Sequence, residues 1–141
     1  MNGAPRTPLR IGTVLVADDS AIVRSVLRRS IAMSGLEVER VIEASDGQEA
    51  LALLGRTRVD VVLADVNMPV LSGPELLERM RSEPGLAGTP VIIVSSERGE
   101  RRIEELRRGG ASAYVTKPFR PEQIEQTLRE VLGPGGGSHA R

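Results

Sequence analysis

The chain has 141 residues, of which 40% are hydrophobic and only 1% aromatic, and its 19 basic and 19 acidic side chains leave no net charge at pH 7. This length predicts one domain with an aliphatic core, and the charge balance argues against direct nucleic-acid binding and against attraction to an acidic membrane surface. The absence of cysteine excludes disulfides, thiolate nucleophiles and Cys-ligated zinc.

The first half of the chain alternates between strand and helix patterns. Residues 1–9 contain a glycine and two prolines, which predict a disordered lead-in. The N-terminus has no apolar segment, so we do not expect a signal peptide. A continuous apolar run at 11–17 predicts a buried strand, and apolar residues at helical spacing predict a helix over 20–35. The next predicted elements are a strand at 37–44, a helix at 47–55 and a strand at 59–64.

The second half continues the alternation. Its predicted elements are a helix at 72–83, a strand at 90–95, a helix at 97–108, a strand at 112–116 and a helix at 120–132. Residues 133–141 predict a flexible tail that holds the only histidine, His139, which argues against a Ser-His-Asp triad or a His-rich metal site. No run approaches the ~18 apolar residues of a membrane span, so we expect a cytoplasmic protein without a membrane partner.

Five strands alternating with five helices predict an α/β domain over residues 10–132. Such a pattern is typical of a doubly wound parallel sheet covered by helices on both faces. If the strand order is 2-1-3-4-5, the flavodoxin-like arrangement, the second strand lies at the edge of the sheet. The carboxyl ends of the other four strands then meet at one place, where such folds bind their ligands.

Polar side chains stand at those four strand ends: Asp18-Asp19, Asp65, Ser95-Ser96 and Thr116-Lys117. Two carboxylates about 4 Å apart repel by roughly 4 kcal/mol at an effective dielectric near 20. A Mg²⁺ ion relieves this repulsion and prefers carboxylate, water and phosphate oxygens. The site therefore predicts Mg²⁺-dependent phosphoryl transfer, in which Asp65 is the nucleophile and Lys117 and Ser95 stabilise the phosphoryl oxygens.

Some of these side chains have a simpler interpretation. Asp18 or Asp19 could cap the first helix, with Ser20 as the rival cap. Ser96 is as plausible as Ser95 for the hydroxyl of the site. Tyr114 could be ordinary core packing. We interpret the arginines of the first helix and of the 97–108 helix as solvated faces with i,i+4 ion pairs.

Four motifs in order resemble those of response-regulator receiver domains, the phospho-acceptor modules of two-component signalling: VLVADDS (14–20), VVLADVNMP (61–69), VIIVSS (91–96) and YVTKPF (114–119). The resemblance covers about residues 10–132 and is greatest to single-domain chemotaxis-type regulators, although VIIVSSERG is also similar to the receiver half of chemotaxis methylesterases.

The resemblance implies a role for each residue of the motifs. Asp65 is the phosphorylation site. Asp19 and Asp65 bind Mg²⁺ directly together with the backbone carbonyl of Asn67, while Asp18 acts largely through a bound water. Lys117 pairs with the phosphoryl oxygens.

The remaining implied roles concern the response to phosphorylation. Ser95 moves toward the phosphoryl group, and Tyr114 is the aromatic switch that follows it inward. Asn67 and Glu97 tune the hydrolysis of the acyl phosphate. The resemblance also implies a cis peptide bond before Pro118.

The expected function is a signalling switch rather than an enzyme. A sensor histidine kinase would phosphorylate Asp65, and the output would be a downstream protein that binds the face built from the fourth helix, fifth strand and fifth helix. Two alternatives stay open: a receiver that binds partners without phosphorylation, and a small Mg²⁺-dependent phosphohydrolase with an aspartyl-phosphate intermediate.

Overall fold

In the computed structural model, which describes residues 9–133, five strands alternate with five helices. The elements are β1 (Arg10–Ala17), α1 (Ala21–Ala32), β2 (Glu37–Ala44), α2 (Gly47–Arg56), β3 (Val61–Ala64), α3 (Gly73–Ser82), β4 (Val91–Ser95), α4 (Glu100–Arg108), β5 (Ala113–Thr116) and α5 (Pro121–Leu132). The predicted lead-in and tail lie outside the described residues, apart from Leu9 and Gly133.

The strands form one parallel sheet in the order β2-β1-β3-β4-β5, which confirms the predicted doubly wound topology. The register aligns the strand ends that matter for function. Ala17 of β1 lies opposite Ala64 of β3, so that Asp18 and Asp65 both leave the sheet one residue later. Ser95 pairs with Thr116 in the same way at the β4–β5 side.

Alternate side chains of each central strand pack into two separate cores. In β1, Val14 and Val16 face the layer that includes Leu27 of α1 and Leu128 of α5. The intervening Leu15 and Ala17 contact the layer formed by α2, α3 and α4. All four residues of β3 are at most 1% exposed. Full burial of a Val or Leu side chain stabilises by about 1.5–3 kcal/mol, so β3 is a firmly held support for the residue that follows it.

The observed helix starts correct two expectations. α1 begins at residue 21, because the hydroxyl of Ser20 accepts the N–H of Val23 at 3.2 Å and caps the helix. The alternative of an aspartate cap is therefore wrong. α4 begins at residue 100 rather than 97, because Glu97 is held in the preceding loop by hydrogen bonds to side chains of β4 and β5.

Within residues 9–133 the structure contains no helix of the length and apolar character needed to cross a membrane.

Candidate functional site

Three carboxylates converge at the carboxyl edge of the sheet. Asp18 is 2% exposed, Asp65 is 9% exposed, and Asp19 is exposed to solvent. One oxygen from each of them lies within 4.8 Å of the others. Two of the three acids are thus withdrawn from water. Like charges repel more strongly in such a buried environment than in solvent.

Asp18 is fixed at every polar group it has. Its N–H donates to the carbonyl of Ala44 at 3.1 Å, and its Oδ1 accepts the N–H of Ser20 at 2.9 Å. Its Oδ2 accepts the ammonium of Lys117 at 2.9 Å. Its carbonyl accepts a guanidinium N–H of Arg24 at 2.6 Å. Asp18 therefore has no freedom to turn without breaking several hydrogen bonds.

Lys117 is the cation of the site. Its side chain is 21% exposed, and its ammonium lies 3.6 Å from Oδ1 of Asp65 and 2.9 Å from Oδ2 of Asp18. The carbonyl of the same residue accepts a hydrogen bond from Arg98 at 3.2 Å, and the Lys117-Pro118 peptide bond is cis. One positive charge thus faces two buried carboxylates, which leaves the cluster with an excess of negative charge.

Asp65 is held in place by its own backbone neighbour. Its Oδ1 accepts the N–H of Val66 at 2.8 Å. Burial raises the pKa of Asp65 above its ordinary value, the nearby Lys117 lowers that pKa, and the charge of Asp18 raises it again. The Val66 amide and the Ser95 hydroxyl also lower it. The net effect is a raised pKa, so the ionised form of Asp65 is destabilised, and an added cation would stabilise it.

Ser95 and Tyr114 connect the carboxylates to the loop before α4. Ser95 is 1% exposed, and its hydroxyl accepts the N–H of Glu97 at 3.3 Å, whereas the alternative hydroxyl of Ser96 is exposed. The Tyr114 hydroxyl donates to the carbonyl of Glu97 at 2.7 Å. Tyr114 is only partly buried, and its ring packs against the core on the α3 side of the sheet. The loop that holds Glu97 is therefore attached to both residues.

The two remaining predicted residues, Asn67 and Glu97, both keep contact with solvent. Asn67 is exposed, two residues after Asp65 in the β3–α3 loop. Glu97 is half-buried, and its carboxylate lies 3.7 Å from the guanidinium of Arg102. Neither side chain is closed off from solvent, so both are accessible to water and to an incoming group.

The sequence patterns missed the polar layer behind Asp18. Arg24 donates to Glu43 at 2.9 Å as well as to Asp18, and Arg28 donates to the second oxygen of Glu43 at 2.9 Å. The predicted i,i+4 pairing is wrong for Arg24 and Arg28, because their partner lies in β2. The Arg28 side chain is 49% exposed, as expected of a solvated face, whereas that of Arg24 is only 17% exposed. A signal was present in principle, since the predicted strand order places the end of β2 beside β1.

The carboxylate cluster fits a hard divalent cation. Ligand oxygens at about 2.1 Å from Mg²⁺ are separated by roughly 3–4 Å, so oxygens within 4.8 Å need only small side-chain rotations. The excess negative charge and the raised pKa of Asp65 favour the same ion. A zinc site is disfavoured, because the cluster offers only oxygen ligands.

This topology, with acids at the β1 and β3 ends and a lysine at the β5 end, is the arrangement that the sequence motifs predicted for a receiver domain. Residues 14–129 match the model of the response regulator receiver domain. The chain is 34% identical over 128 residues to a chemotaxis protein CheY homolog of Campylobacter jejuni, which covers 90% of this chain and 97% of that protein.

Solved structures show the same fold. Chemotaxis response regulator CheY4 of Vibrio cholerae has a TM-score of 0.77 and 36% identity, over 86% of this chain and 99% of that one. The phosphorylated cyanobacterial phytochrome response regulator RcpA has a TM-score of 0.74 and 25% identity, over 87% and 94%.

This chain belongs to the response regulator receiver domain family, and its curated relatives include CheY-type chemotaxis regulators. Receiver domains are signalling switches of two-component systems that bind Mg²⁺ at an acidic pocket, and Asp18, Asp19 and Asp65 form such a pocket here.

Proposed function

We propose that the chain is a phosphorylation-controlled switch in which a sensor histidine kinase donates the phosphoryl group and Asp65 accepts it. The observation that carries this proposal is the meeting of three carboxylates within 4.8 Å, with the ammonium of Lys117 3.6 Å from Asp65. A buried acid at a strand end, next to a cation and open to solvent on one side, suits an in-line phosphoryl acceptor.

Asp19, Asp65 and the backbone carbonyl of Asn67 would hold Mg²⁺ directly, with Asp18 acting through a water. Both oxygens of Asp18 already accept hydrogen bonds, from Ser20 and from Lys117, which supports an indirect role. Asp19 is exposed, and one of its carboxylate oxygens lies within 4.8 Å of an oxygen of Asp65. When bound, Mg²⁺ neutralises the charge of the carboxylates and of the phosphoryl oxygens.

The chain's own residues orient the reaction. The Val66 N–H fixes Oδ1 of Asp65, which leaves the second oxygen to attack phosphorus. The new O–P bond forms as the N–P bond to the donor histidine breaks, and the ring, protonated on its other nitrogen, leaves as neutral imidazole. Lys117 pairs with a phosphoryl oxygen, and Ser95 donates its hydroxyl to another.

The phosphorylated state would be read through Ser95 and Tyr114. A phosphoryl oxygen that accepts the Ser95 hydroxyl draws Oγ toward Asp65. This movement lengthens the hydrogen bond that Oγ accepts from the N–H of Glu97, whose carbonyl accepts from Tyr114. The next helix, α4, has only Leu106 fully buried, so it is weakly anchored and shifts at low cost. Asn67 and Glu97 would tune the hydrolysis of the acyl phosphate, and the solvent exposure of both side chains supports this role.

The output surface would be the face of α4, β5 and α5, which binds a downstream protein. Tyr114 of β5 connects this face to the site, and the exposed side chains of α4 are three arginines and three glutamates. A partner with alternating charges would complement this surface. Addition of a beryllofluoride phosphoryl analogue is expected to shift amide resonances of α4 and β5 in the wild type, and in Ser95→Ala to shift only those around Asp65.

The test of the proposal is covalent. The protein is incubated with Mg²⁺ and a small-molecule phosphodonor and analysed by mass spectrometry for an acid-stable, base-labile phosphoryl adduct. The adduct is expected in the wild type and in Asp60→Asn, a control acid at the opposite end of β3, and it should be lost in Asp65→Asn and without Mg²⁺. A wild type that stays unmodified, with Mg²⁺ shown to bind, would favour a phosphorylation-independent receiver. Repeated turnover of phosphoesters would favour a phosphohydrolase.

A further inference from the structure

A polar layer behind the carboxylate cluster connects α1 and β2 to Asp18. The guanidinium of Arg24 donates from Nε to Glu43 at 2.9 Å and from Nη1 to the carbonyl oxygen of Asp18 at 2.6 Å. Its side chain is 17% exposed, so these two hydrogen bonds face little competition from water. Arg24 spans the gap between β2 and the turn that leaves β1.

The hydrogen bond from Arg24 acts on the peptide group that joins Asp18 to Asp19. Because a peptide group is planar, fixing its carbonyl also fixes the N–H and the Cα of the next residue. The other polar groups of Asp18 are held as well, by Ala44, Ser20 and Lys117. Arg24 therefore helps to fix the plane of the Asp18–Asp19 peptide group, and this plane sets the direction in which the Asp19 side chain leaves the backbone.

Glu43 keeps Arg24 in this position. Its Oε1 accepts from Arg24, and its Oε2 accepts from Arg28 at 2.9 Å. Arg28 in turn donates to the carbonyl of Val41 in β2. The two arginines lower the pKa of Glu43, Arg24 most strongly, so the carboxylate stays charged at neutral pH. Glu43 also offsets the repulsion that the guanidinium would exert on a nearby divalent cation.

We infer that Arg24, oriented by Glu43, is a positioning residue for the Mg²⁺ site, because it holds the Asp18–Asp19 peptide in the plane that directs Asp19 toward Asp65. This inference rests on the proposed function, in which Asp19 and Asp65 bind the ion. Arg24 does not contact the ion or the phosphoryl group; it acts through the backbone between two acids.

Arg28 offers a matched control for Arg24. Both are arginines of α1, and both donate to Glu43, but the second contact of Arg28 is the carbonyl of Val41, away from the acids. Removal of either one deletes a positive charge and one hydrogen bond to Glu43. Only removal of Arg24 releases the Asp18 carbonyl.

The experiment measures the Kd for Mg²⁺ by calorimetric titration of the wild type, Arg24→Met, Arg28→Met and Asp65→Asn. Loss of a group that orients a metal ligand typically weakens binding by 10-fold or more, so Arg24→Met is expected to raise Kd by about 10-fold. For Arg28→Met the change should stay within about twofold. The free energy of unfolding in a chelator is measured for each variant by urea titration, so that a general loss of stability is recognised.

Two further variants separate orientation from charge. Arg24→Lys keeps the positive charge but lacks the planar fork that reaches Glu43 and Asp18 together, so Kd should rise by a few-fold. Glu43→Gln should raise it similarly, because Arg24 loses its charged partner. Should Arg24→Met fail to fold, these two variants test the inference in its place.

The outcomes distinguish the inference from the proposed function. The inference is tested once Asp65→Asn has shown that the wild type binds Mg²⁺ through Asp65. If Arg24→Met then binds Mg²⁺ at least as tightly as the wild type, Arg24 does not position the site. The same holds for Arg24→Lys and Glu43→Gln where they replace Arg24→Met. If Arg28→Met weakens binding as much as Arg24→Met, the effect comes from charge or from Glu43, and the inference is also overturned. If Mg²⁺ binding to the wild type is absent or unaffected by Asp65→Asn, the proposed function itself fails.

Discussion

Lys117 places its ammonium 2.9 Å from Oδ2 of Asp18, although the two residues are 99 positions apart in the chain. In the absence of a metal ion this contact neutralises a carboxylate that is only 2% exposed. We expect Lys117→Met to lower the free energy of unfolding by about 2 kcal/mol, because a buried carboxylate loses its cation. The loss should shrink when Mg²⁺ is present in excess, because the ion supplies the missing charge.

Urea unfolding of the wild type and of Lys117→Met, each with Mg²⁺ and with a chelator, checks this prediction. Arg120→Met is the control, since Arg120 is exposed and its ion pair, with exposed Glu122 at 4.0 Å, lies at the surface. A loss of stability in Lys117→Met that is the same with and without Mg²⁺ would show that the lysine does not substitute for the ion.

Gly73 allows the first turn of α3 to approach Asp65, the proposed phosphoryl acceptor. A Cβ at this position would overlap the carbonyl oxygen of Asp65 and lie 3.0 Å from the Cα of Val66. Because both obstacles are backbone atoms, neither can rotate away. We expect Gly73→Ala to cost about 2 kcal/mol or more, as overpacked sites do, and to displace the loop after β3.

Gly55 in α2 provides the opposite case. A Cβ there meets nothing within 4 Å, and the residue is exposed. Gly55→Ala should therefore stabilise the protein by roughly 0.5–1 kcal/mol through helix propensity alone. Chemical unfolding of both variants tests the pair, and equal effects in the two would contradict the close approach at Gly73.

The sequence was sufficient for the topology because each element carries its own signal. The apolar runs of β1, β3 and β4 are buried on both faces, and the helices between them show the 3.6-residue period. Parallel strands with helical crossovers put all their carboxyl ends at one edge. Asp18, Asp65 and Lys117 could thus be brought together before any distance was known.

The hydrogen bonds between elements could not be predicted in this way. Arg24 and Glu43 meet only because of the tilt of α1 against β2 and the rotamers that the neighbouring side chains allow. The cap of α1 was ambiguous for a related reason. Asp18 is a good cap by type, but Lys117 occupies its carboxylate, and a contact from the far end of the chain leaves no trace in the local pattern.

The side chain of Arg81 in α3 joins two loops at the end of the sheet opposite the carboxylates. Its guanidinium donates to the carbonyls of Ala87 at 3.1 Å, Thr89 at 3.0 Å and Gly110 at 2.7 Å. Burial lowers the pKa of Arg81. The guanidinium is nevertheless charged at neutral pH, as arginines in proteins are. These bonds connect the loop before β4 with the turn after α4.

We expect Arg81→Met to lower the free energy of unfolding by about 2–3 kcal/mol, because three carbonyls lose a charged donor. The neighbouring Arg79→Met, which alters an exposed side chain of the same helix, should change it by less than about 0.5 kcal/mol. Urea titration measures both values. Hydrogen exchange in Arg81→Met should accelerate around Gly110; unchanged exchange there would contradict the proposed connection.

Tyr114 is the only tyrosine of a chain without tryptophan, so its ionisation can be followed by the phenolate absorbance of the whole protein. Burial raises the pKa of Tyr114 above its ordinary value of about 10, and the charges of Glu97 and Asp65 raise it further. The Ser95 hydroxyl opposes this shift. We expect the folded protein to titrate at a higher pH than the same protein unfolded in urea.

The sign of the effect on stability follows from the direction of the shift. A pKa that is higher in the folded state means that the native protein retains the phenol proton more strongly, so this contribution is present below the unfolded pKa and is lost as the pH rises through the folded one. Ser95→Ala removes a group that lowers the pKa of Tyr114. In this variant the titration of Tyr114 should therefore move to still higher pH. A Tyr114 midpoint equal to that of the unfolded chain, in either protein, would mean that the hydroxyl is solvated rather than bound to the carbonyl of Glu97.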